Sequence, residues 1–209
     1  MCIRDRLYNH VRMNSFFLKH ISKTLFLLFS LAVVAQPQLN KDYVLIPEGL
    51  VKDEGITEIF GYWCPACFSF ENTVQDIIDR RPDIAINQVP AGNETIARLY
   101  YTIKALNLGE EAHMNVYKDW QLKRQSFRTE SDMAAFAKRH GYNEQKFMEV
   151  YGSFGVGLKA KNALRLVNSL GNAGAFDGVP TVIVNGKYKV IRGRDVEKNI
   201  SNIIYLSDL

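Results

Sequence analysis

The sequence predicts an α/β domain into which a block of helices is inserted, and three observations support this fold class. A strand, a helix and a second strand follow one another between residues 56 and 89. Five helical segments then occupy residues 93–171, and a β-hairpin with a final helix follows residue 178. Parallel strands joined through a helix are expected to have a right-handed connection. The helical block therefore indicates an insertion between two parts of one fold.

The first strand and its helix have the clearest local signals. Residues 36–53 form a short lead-in, with an edge strand predicted at residues 43–46. The run Ile56–Phe60 is rich in β-branched and aromatic residues, which predicts a buried strand. Pro65 suits the first turn of a helix, because its missing N–H would have no partner there. The helix is predicted to span Pro65–Arg80, with an apolar stripe formed by Phe68, Val74, Ile77 and Ile78.

After a second, parallel strand at residues 84–89, helices replace strands. Polar caps and glycines give the predicted helix bounds: Asn93 to about Leu108 with Gly109 closing it, 110–122, the Ser131 cap to His140, Asn143 to Val150, and about Gly157 to Leu170 before Gly171. His113 and His140 fall within this block, and we expect both to be surface residues of polar helices.

A hairpin follows the helical block. Asn185-Gly186 lies between two β-rich runs and predicts a type I′ turn. Pro180 stands where the first hairpin strand begins, and a strand tolerates proline there because its first residue need not donate to the ladder. A final helix is predicted at residues 195–206, packed against the sheet.

Cys64 and Cys67 stand at CxxC spacing, directly after the buried strand and at the start of the predicted helix. The unpaired amides and the positive end of the helix dipole favour a thiolate over a thiol at Cys64. An accessible thiolate with a partner cysteine three residues further on suits disulfide exchange. The motif and its strand-to-helix context therefore predict redox-active cysteines.

Three other interpretations of the cysteine pair are weaker. A structural disulfide across so short a loop would contribute only about 2 kcal/mol by the chain-entropy relation. A structural zinc site needs about four ligands, whereas the sequence has no second CxxC and His113 and His140 lie 27 residues apart. We therefore expect no metal site. Two unrelated buried thiols would not explain the proline or the position between strand and helix.

Residues 1–35 are expected to be a secretory signal peptide, in which lysines precede an apolar run and small residues precede the cut. Met13 is the more natural start of this pattern. The apolar run, about eleven residues long, is shorter than the roughly 20 needed to span a bilayer, so a retained anchor is the weaker alternative. Cys2 leaves with the leader, and export to an oxidising compartment is expected.

The formal charge of +4 does not indicate a nucleic-acid partner. Residues 1–35 hold five of the 26 basic and one of the 22 acidic side chains, which leaves 21 of each in the remainder. A chain that is neutral outside its leader lacks the charge imbalance typical of nucleic-acid binding, so we expect no such partner.

Two segments together resemble the thioredoxin fold: Glu58-Ile59-Phe60-Gly61-Tyr62-Trp63-Cys64-Pro65-Ala66-Cys67, and Gly178-Val179-Pro180-Thr181 followed by Val184-Asn185-Gly186-Lys187-Tyr188. The helical block between them makes the chain similar to the DsbA-like family of exported thiol–disulfide oxidoreductases. The resemblance implies a thioredoxin fold with an inserted helical domain. Its expected parts are the signal peptide (1–35), a first thioredoxin part (36–91), the helical insertion (92–172) and a second thioredoxin part (173–209).

The resemblance also implies residue roles. Cys64 is the expected nucleophile and Cys67 the buried resolving cysteine. Pro180 matches the family's cis-proline, which faces the disulfide and would turn the Val179 backbone toward a client strand. An ordinary trans proline at a strand start stays open. Glu58 matches a buried acid that assists proton transfer at Cys67, and a strand-end carboxylate that reaches solvent is equally compatible with the sequence.

Two further positions tune the expected chemistry. Ala66, next to Pro65 within CxxC, stands where the best-known oxidase of the family has histidine. A cation there favours the Cys64 thiolate, so alanine predicts a milder oxidant. Val179 before the proline resembles the oxidase members rather than the isomerases, which typically have threonine. Unfolded clients would suit an apolar groove expected around Trp63, Phe68 and Val179.

The resemblance therefore implies a periplasmic enzyme that donates the Cys64–Cys67 disulfide to unfolded or reduced secreted proteins. No metal or organic cofactor is expected, and regeneration is expected to use a DsbB-type membrane quinone reductase. We expect a monomer. A periplasmic disulfide reductase or isomerase is the alternative within the same chemistry, and a non-catalytic client-binding chaperone is the alternative without it. Glutathione-linked and 2-hydroxychromene-type isomerases share the insertion topology but lack a CxxC pair.

Overall fold

The computed structural model describes residues 36–209, and the predicted signal peptide lies outside the described residues. Its sheet has the strand order β1-β5-β4-β2-β3, where β1 is Tyr43–Leu45, β2 is Ile56–Phe60, β3 is Ile86–Pro90, β4 is Thr181–Val184 and β5 is Tyr188–Val190. β2 and β3 are parallel, and the other neighbouring pairs are antiparallel. The predicted βαβ unit and the predicted hairpin therefore join in one sheet, and the α/β class is confirmed.

Helices make up most of the remaining described chain. Their bounds are α1 Pro65–Arg80, α2 Glu94–Ala105, α3 Gly109–Tyr117, a π-helical turn Lys118–Leu122, α4 Glu130–Arg139, α5 Glu144–Tyr151, α6 Phe154–Asn172 and α7 Val196–Ser207. Among these described helices, none has the length and apolar composition that a membrane span requires. The five predicted helices of the insertion are present, with the second divided into α3 and the π-helical turn.

The central strands β2 and β4 are buried throughout and separate two cores. Because side chains alternate along a strand, Ile56 and Val182 contribute to one core and Ile59 and Ile183 to the other. The first core is completed by α1 and α7 through Phe70, Val74, Ile77, Ile200 and Ile203. The second is completed by α6 through Ala163 and Leu170.

A third core joins the sheet to the helical block. Phe60, at the end of β2, and Tyr62, just after it, are fully buried in the same cluster as Met133, Phe136 and Phe147 of the insertion. The rings of Phe60 and Tyr62 meet edge to face with centroids 5.1 Å apart, an arrangement that aromatic pairs favour. The insertion therefore shares a continuous core with the strand that leads into CxxC.

The helix ends differ from the predictions in instructive ways. Gly109 opens α3 instead of closing α2, because α2 already ends at Ala105 and Asn107 takes the left-handed conformation with φ 51°. Thr129, not Ser131, caps α4, since its side chain and Asp132 form a reciprocal capping box. Helix α6 begins at Phe154 after a Ser153 cap and continues through the glycine at which it was predicted to stop.

The buried stripe of α1 was also predicted incorrectly in part. Val74 and Ile77 are buried as expected, but Ile78 is 40% exposed. Phe70 instead fills the inner face and is 6% exposed. Phe68 lies partly buried against the third core and stacks on Tyr117, with the ring centroids 5.3 Å apart.

The hairpin turn and its surroundings follow the sequence closely. Asn185 and Gly186 both have positive φ, 49° and 62°, as a type I′ turn requires. The Lys187 N–H donates to Val184 O at 3.0 Å and closes the turn. The Asn185 side chain also accepts from the Gly55 N–H at 2.9 Å, which fixes the turn against the start of β2.

His140 is not a freely exposed surface residue, so that prediction was wrong. Its ring lies 2.9 Å from the fully buried carboxylate of Asp119, which also binds Lys123 and Arg139. Burial acts to raise the pKa of Asp119, but the hydrogen bonds from these three side chains outweigh it, and the pKa is lowered. The cluster fastens the π-helical turn to the end of α4.

Candidate active site

Cys64 is the N-cap residue of α1. Its backbone is extended, with φ −91° and ψ 114°, and Pro65 follows at the first helical position. The Cys67 N–H donates to Cys64 Sγ at 3.3 Å, so the sulfur takes the place that a serine or aspartate oxygen usually has at a cap. Both cysteines are free thiols, and Cys67 is fully buried whereas Cys64 is partly exposed.

The loop that enters β4 lies directly against this sulfur. The peptide bond between Val179 and Pro180 is cis, and Cys64 Sγ donates to Val179 O at 3.3 Å. The register Ile59 to Thr181 between β2 and β4 sets this proximity, because the two strands are antiparallel: β2 ends and β4 begins beside the start of α1. The structure thus brings together two segments that are 115 residues apart in the sequence.

Trp63 lies on the surface beside the sulfur and is 41% exposed. Two glycines hold its ring: a Cβ added at Gly61 would lie 2.7 Å from Cζ2, and one added at Gly92 would lie 2.7 Å from Cζ3. Pro65 and Ala66 are exposed as well. We call Trp63, Cys64, Pro65, Ala66 and Val179 the active-site face.

The helical insertion reaches the active-site face through Gln121. This residue lies in the π-helical turn, and its Nε2 donates to Tyr62 O at 2.8 Å and to Cys64 O at 3.1 Å. π-helical turns are often found at functional sites. Here the turn ties the backbone on either side of Trp63 to the insertion.

Glu58 is fully buried in β2, which resolves the alternative that the sequence left open. Its Oε2 accepts from Gln88 Nε2 at 2.9 Å, and its Oε1 has no hydrogen-bond partner among residues 36–209. Burial, reinforced by the nearby carboxylate of Glu71, raises the pKa of Glu58 to about 8. At neutral pH this side chain is therefore mostly protonated.

A second acid lies next to it. Glu71 of α1 accepts from the same Gln88 Nε2 at 3.1 Å and lies 3.1 Å from His113 Nε2. The other ring nitrogen of His113 lies 2.8 Å from the Tyr62 hydroxyl. We call Tyr62, Glu58, Glu71, Gln88 and His113 the buried polar network.

The prediction that His113 is a surface residue was therefore wrong. The side chain is 3% exposed and is enclosed by aromatic rings of the third core. Its partners Glu71 and Tyr62 are 42 and 51 residues away in the sequence, so no local pattern identifies them. The available signal was the helical spacing of α3, in which His113 directly follows Ala112 and lies on the same buried side as Ala112 and Val116.

Glu71, Glu110 and His113 place one possible metal-ligand atom each within 4.8 Å of one another. A cavity of about 90 Å³ borders Glu110 and His113. Both nitrogens of His113 already have hydrogen-bond partners, as described above, and His113 and Glu71 belong to the buried polar network. Burial raises the pKa of Glu110 as well.

The two thiols experience different surroundings. Burial raises the pKa of Cys67 strongly, while the Gly61 backbone acts in the opposite direction, and Cys64 and Glu58 add to the rise. An isolated Cys67 thiolate is therefore costly, whereas Cys64 Sγ has hydrogen-bond partners at an accessible helix end. The arrangement separates an open sulfur, Cys64 Sγ, from an enclosed one, Cys67 Sγ.

The family model of the DSBA-like thioredoxin domain matches residues 87–204, more than half of the chain. The chain belongs to this family. It is a thiol–disulfide oxidoreductase of the DsbA type with a thioredoxin fold, as the resemblance implied.

Members of the DsbA family with similar sequences span most of the chain. The thiol:disulfide interchange protein DsbA of Bordetella pertussis is 31% identical over 176 residues, covering 78% of this chain and 82% of the relative. DsbA of Azotobacter vinelandii is 29% identical over 164 residues, covering 74% and 75%. The crystal structure of Pseudomonas aeruginosa DsbA superimposes with a TM-score of 0.71 at 26% identity, covering 82% of this chain and 93% of that one.

Proposed function

We propose that this protein is an exported thiol–disulfide oxidase that donates a Cys64–Cys67 disulfide to reduced client proteins. The main support is the asymmetry of the pair: Cys64 Sγ lies at a partly exposed helix N-terminus, 3.3 Å from Val179 O, and Cys67 is fully buried. Steric access therefore directs a client to one sulfur. The direction of transfer, the residue roles and the location are part of this proposal.

The reaction proceeds in two exchanges. A client thiolate attacks Cys64 Sγ of the disulfide, the bond to Cys67 Sγ breaks, and Cys67 leaves as a thiolate. A second client thiolate then attacks the client sulfur of the mixed disulfide, and Cys64 leaves as a thiolate. Two electrons pass from the client dithiol to the enzyme, which ends as a dithiol.

Glu58 is proposed to supply the proton that the buried leaving group needs. Burial disfavours the charged form of Cys67, so protonation lowers the cost of its release. With a pKa of about 8, Glu58 is protonated at neutral pH, and its Oε1 has no partner in the described chain that would hold the proton elsewhere. In the reverse reaction the same carboxylate would take the proton from Cys67.

The active-site face is proposed to bind clients as extended chains. Trp63 offers an exposed apolar ring, and Val179 lies partly exposed before β4, where backbone groups are suited to pairing with an added strand. Backbone pairing recognises many sequences. This suits an enzyme whose clients are unfolded or reduced secreted proteins.

The proposed compartment is the periplasm, reached through a signal peptide at residues 1–35. Two electrons must leave the reduced enzyme after each turnover, and we propose a DsbB-type membrane quinone reductase as the acceptor. A monomer is sufficient, because each residue of the proposed mechanism is supplied by one chain. We retain the proposed division into parts 36–91, 92–172 and 173–209, with the shared third core joining them.

The test is oxidation of a synthetic dithiol peptide by the disulfide form of the protein. Wild type should oxidise the peptide, and Cys64→Ser should have no turnover. Cys67→Ser, supplied with the peptide in its disulfide form, should accumulate a mixed disulfide visible by mass spectrometry, because Cys64 attacks the peptide disulfide and one peptide sulfur leaves as a thiolate. Turnover by the Cys64→Ser variant at the wild-type rate would refute the assignment of the nucleophile. Client binding that persists unchanged in the Cys64→Ser/Cys67→Ser double variant, without wild-type oxidation, would instead favour a chaperone.

A periplasmic reductase or isomerase is the second candidate, and Ala66 is the observation that favours it. Ala66 is exposed and neutral at the position beside Cys64 where a cation would stabilise the thiolate. Equilibration of the Cys64–Cys67 pair with glutathione separates the candidates. A potential above that of the glutathione pool supports the oxidase, and a lower one supports the reductase.

A further inference from the structure

Arg192 follows β5 by two residues, and its side chain turns back beneath the loop that contains Pro180. Its Nη2 donates to Pro180 O at 2.7 Å. The preceding carbonyl, Val179 O, accepts from Cys64 Sγ at 3.3 Å. Two consecutive carbonyls of this loop are therefore bound, one by the guanidinium and one by the open sulfur.

The guanidinium has a second fixed contact. Its Cζ lies 5.1 Å from the ring centroid of Phe70, within the range of a cation–π interaction. Phe70 lies three residues after Cys67 on the inner face of α1, and is 6% exposed. Arg192 thus links α1, which begins at the cysteine pair, to the Pro180 loop, and its guanidinium is held between them.

The charge of Arg192 acts on the reacting groups. Burial lowers the pKa of Arg192, while attraction to Cys67, Glu58 and Cys64 works in the opposite direction. A guanidinium keeps its charge even when partly buried, because its ordinary pKa is far above neutrality. By contrast, the Pro65-Ala66 pair between the cysteines carries no charge.

We propose that Arg192 is a positioning residue of the thiol–disulfide reaction, which orients the Pro180 loop and places a fixed positive charge beside the two sulfurs. In this position it takes the electrostatic part that a cation at position 66 would otherwise have. The proposal rests on the thiol–disulfide chemistry and holds for either direction of transfer.

The charge has a defined effect on the equilibrium. Reduction of the disulfide produces a dithiol in which a thiolate can form, and a nearby cation stabilises that thiolate but not the neutral disulfide. Removing the cation therefore disfavours the reduced form and makes the disulfide a weaker oxidant. A prediction from Ala66 alone, without the charge of Arg192, therefore underestimates how strongly oxidising the disulfide is.

The test is the equilibrium of the Cys64–Cys67 pair with glutathione in the full mature protein. Arg192→Met should lower the equilibrium constant for oxidation of glutathione by about tenfold, or about 30 mV. Arg194→Met is the control, because Arg194 is an exposed arginine two residues away. An Arg192→Met constant within twofold of this control would overturn the electrostatic part of the proposal.

A second pair of variants keeps the test valid if Arg192→Met does not fold. Arg192→Gln and Arg192→Lys both lose the guanidinium fork, but only lysine keeps the charge. The lysine variant should retain an equilibrium constant near wild type, and the glutamine variant should not. Equal constants for the two would contradict the charge effect, and a merely structural residue would shift the melting temperature without separating them.

The loop-orienting part has its own readout. Lysine lacks the planar guanidinium that donates to Pro180 O and lies over the Phe70 ring, so Arg192→Lys should oxidise the dithiol peptide several-fold more slowly than wild type at a similar potential. An unchanged rate would refute the orienting role. Failure of the proposed oxidase direction would leave these differences between variants intact, so the two hypotheses fail separately.

Discussion

The active-site face and the buried polar network lie on either side of the segment from Cys64 to Cys67, and their environments are opposite. The face is exposed and mostly apolar, with a neutral Pro65-Ala66 pair between the cysteines. The network is enclosed and polar, with two acids, Glu58 and Glu71, that share one amide of Gln88. Cys64 Sγ therefore lies in the exposed environment, whereas Cys67 Sγ, three residues later, lies in the enclosed one.

This contrast teaches how one motif gives its two cysteines different chemistry. The N-cap position leaves Cys64 Sγ at the surface with amide and carbonyl partners. The first turn of α1 rotates Cys67 inward, where burial disfavours its charge. In the proposed mechanism, sulfur exchange occurs at the face and proton transfer occurs in the network. Substitutions in each region should separate their contributions to stability and to catalysis.

The largest effect is expected from His113→Leu. The change leaves the Tyr62 hydroxyl without a hydrogen-bond partner and the buried Glu71 carboxylate with Gln88 alone, which typically costs about 3–5 kcal/mol of unfolding free energy. Chemical denaturation of the variant measures the loss. Glu111→Leu, at an exposed site on the same helix, is the control and should cost far less. Equal losses in the two variants would show that the network is unimportant for stability.

The next effect is a pH dependence that Glu58 produces. Its pKa rises from 4.5 to about 8 on folding, so between these values the folded state binds more protons than the unfolded state. Stability from this group is therefore present below about pH 4.5 and is lost as the pH rises toward about 8, at up to about 1.4 kcal/mol per pH unit. Glu58→Gln should flatten that slope in denaturation series at several pH values. A slope identical to wild type would contradict a buried, protonated Glu58.

Gly92→Ala tests the seat of Trp63 on the active-site face. The new Cβ would lie 2.7 Å from the indole ring, and φ of +104° adds backbone strain. We expect a loss of about 1–3 kcal/mol and a shift in tryptophan fluorescence. Gly49→Ala is the matched control, since Gly49 also has positive φ, +78°, but no heavy atom within 4 Å. A fluorescence shift of the same size in the control would mean that the ring contact is not responsible.

An effect on stability no larger than that of Gly92→Ala is expected from Gln121→Ala, which removes the hydrogen bonds between the insertion and the active-site face. Two hydrogen bonds to backbone carbonyls are lost, at about 0.5–1.5 kcal/mol each. The fractional loss of peptide-oxidation rate should exceed the fractional loss of unfolding free energy, because the freed carbonyls flank Trp63. Gln125→Ala is an exposed control nearby. If both variants oxidise peptide at the wild-type rate, the link has no catalytic consequence.

Local signals predicted much of the fold. β2 and α1 have the bounds that their composition and Pro65 indicated, and the Asn185-Gly186 turn is as predicted. These elements are specified by residues close together in the sequence. The predicted helix ends were wrong where two polar or glycine residues compete for the same cap, as Thr129 and Ser131 do at α4.

The candidate site was predictable where it is encoded in motifs and hidden where it depends on tertiary contacts. The cysteines and Pro180 belong to recognisable segments, and the structure brings them together. The partners of His113 lie more than 40 residues away, and Gln121 binds carbonyls 57 and 59 residues away. A buried polar side chain that is satisfied across such distances looks, in sequence, like an ordinary surface residue of a helix.

The third core has a consequence for how this protein can change over generations. Phe60 and Tyr62 fill the interior of the helical block, so that block cannot be exchanged for a relative's as a self-contained cassette. Recombination at its borders would leave two bulky rings facing foreign neighbours. We therefore expect the block and the segment that precedes the cysteines to be inherited together. Substitutions in one should be accompanied by compensating substitutions in the other.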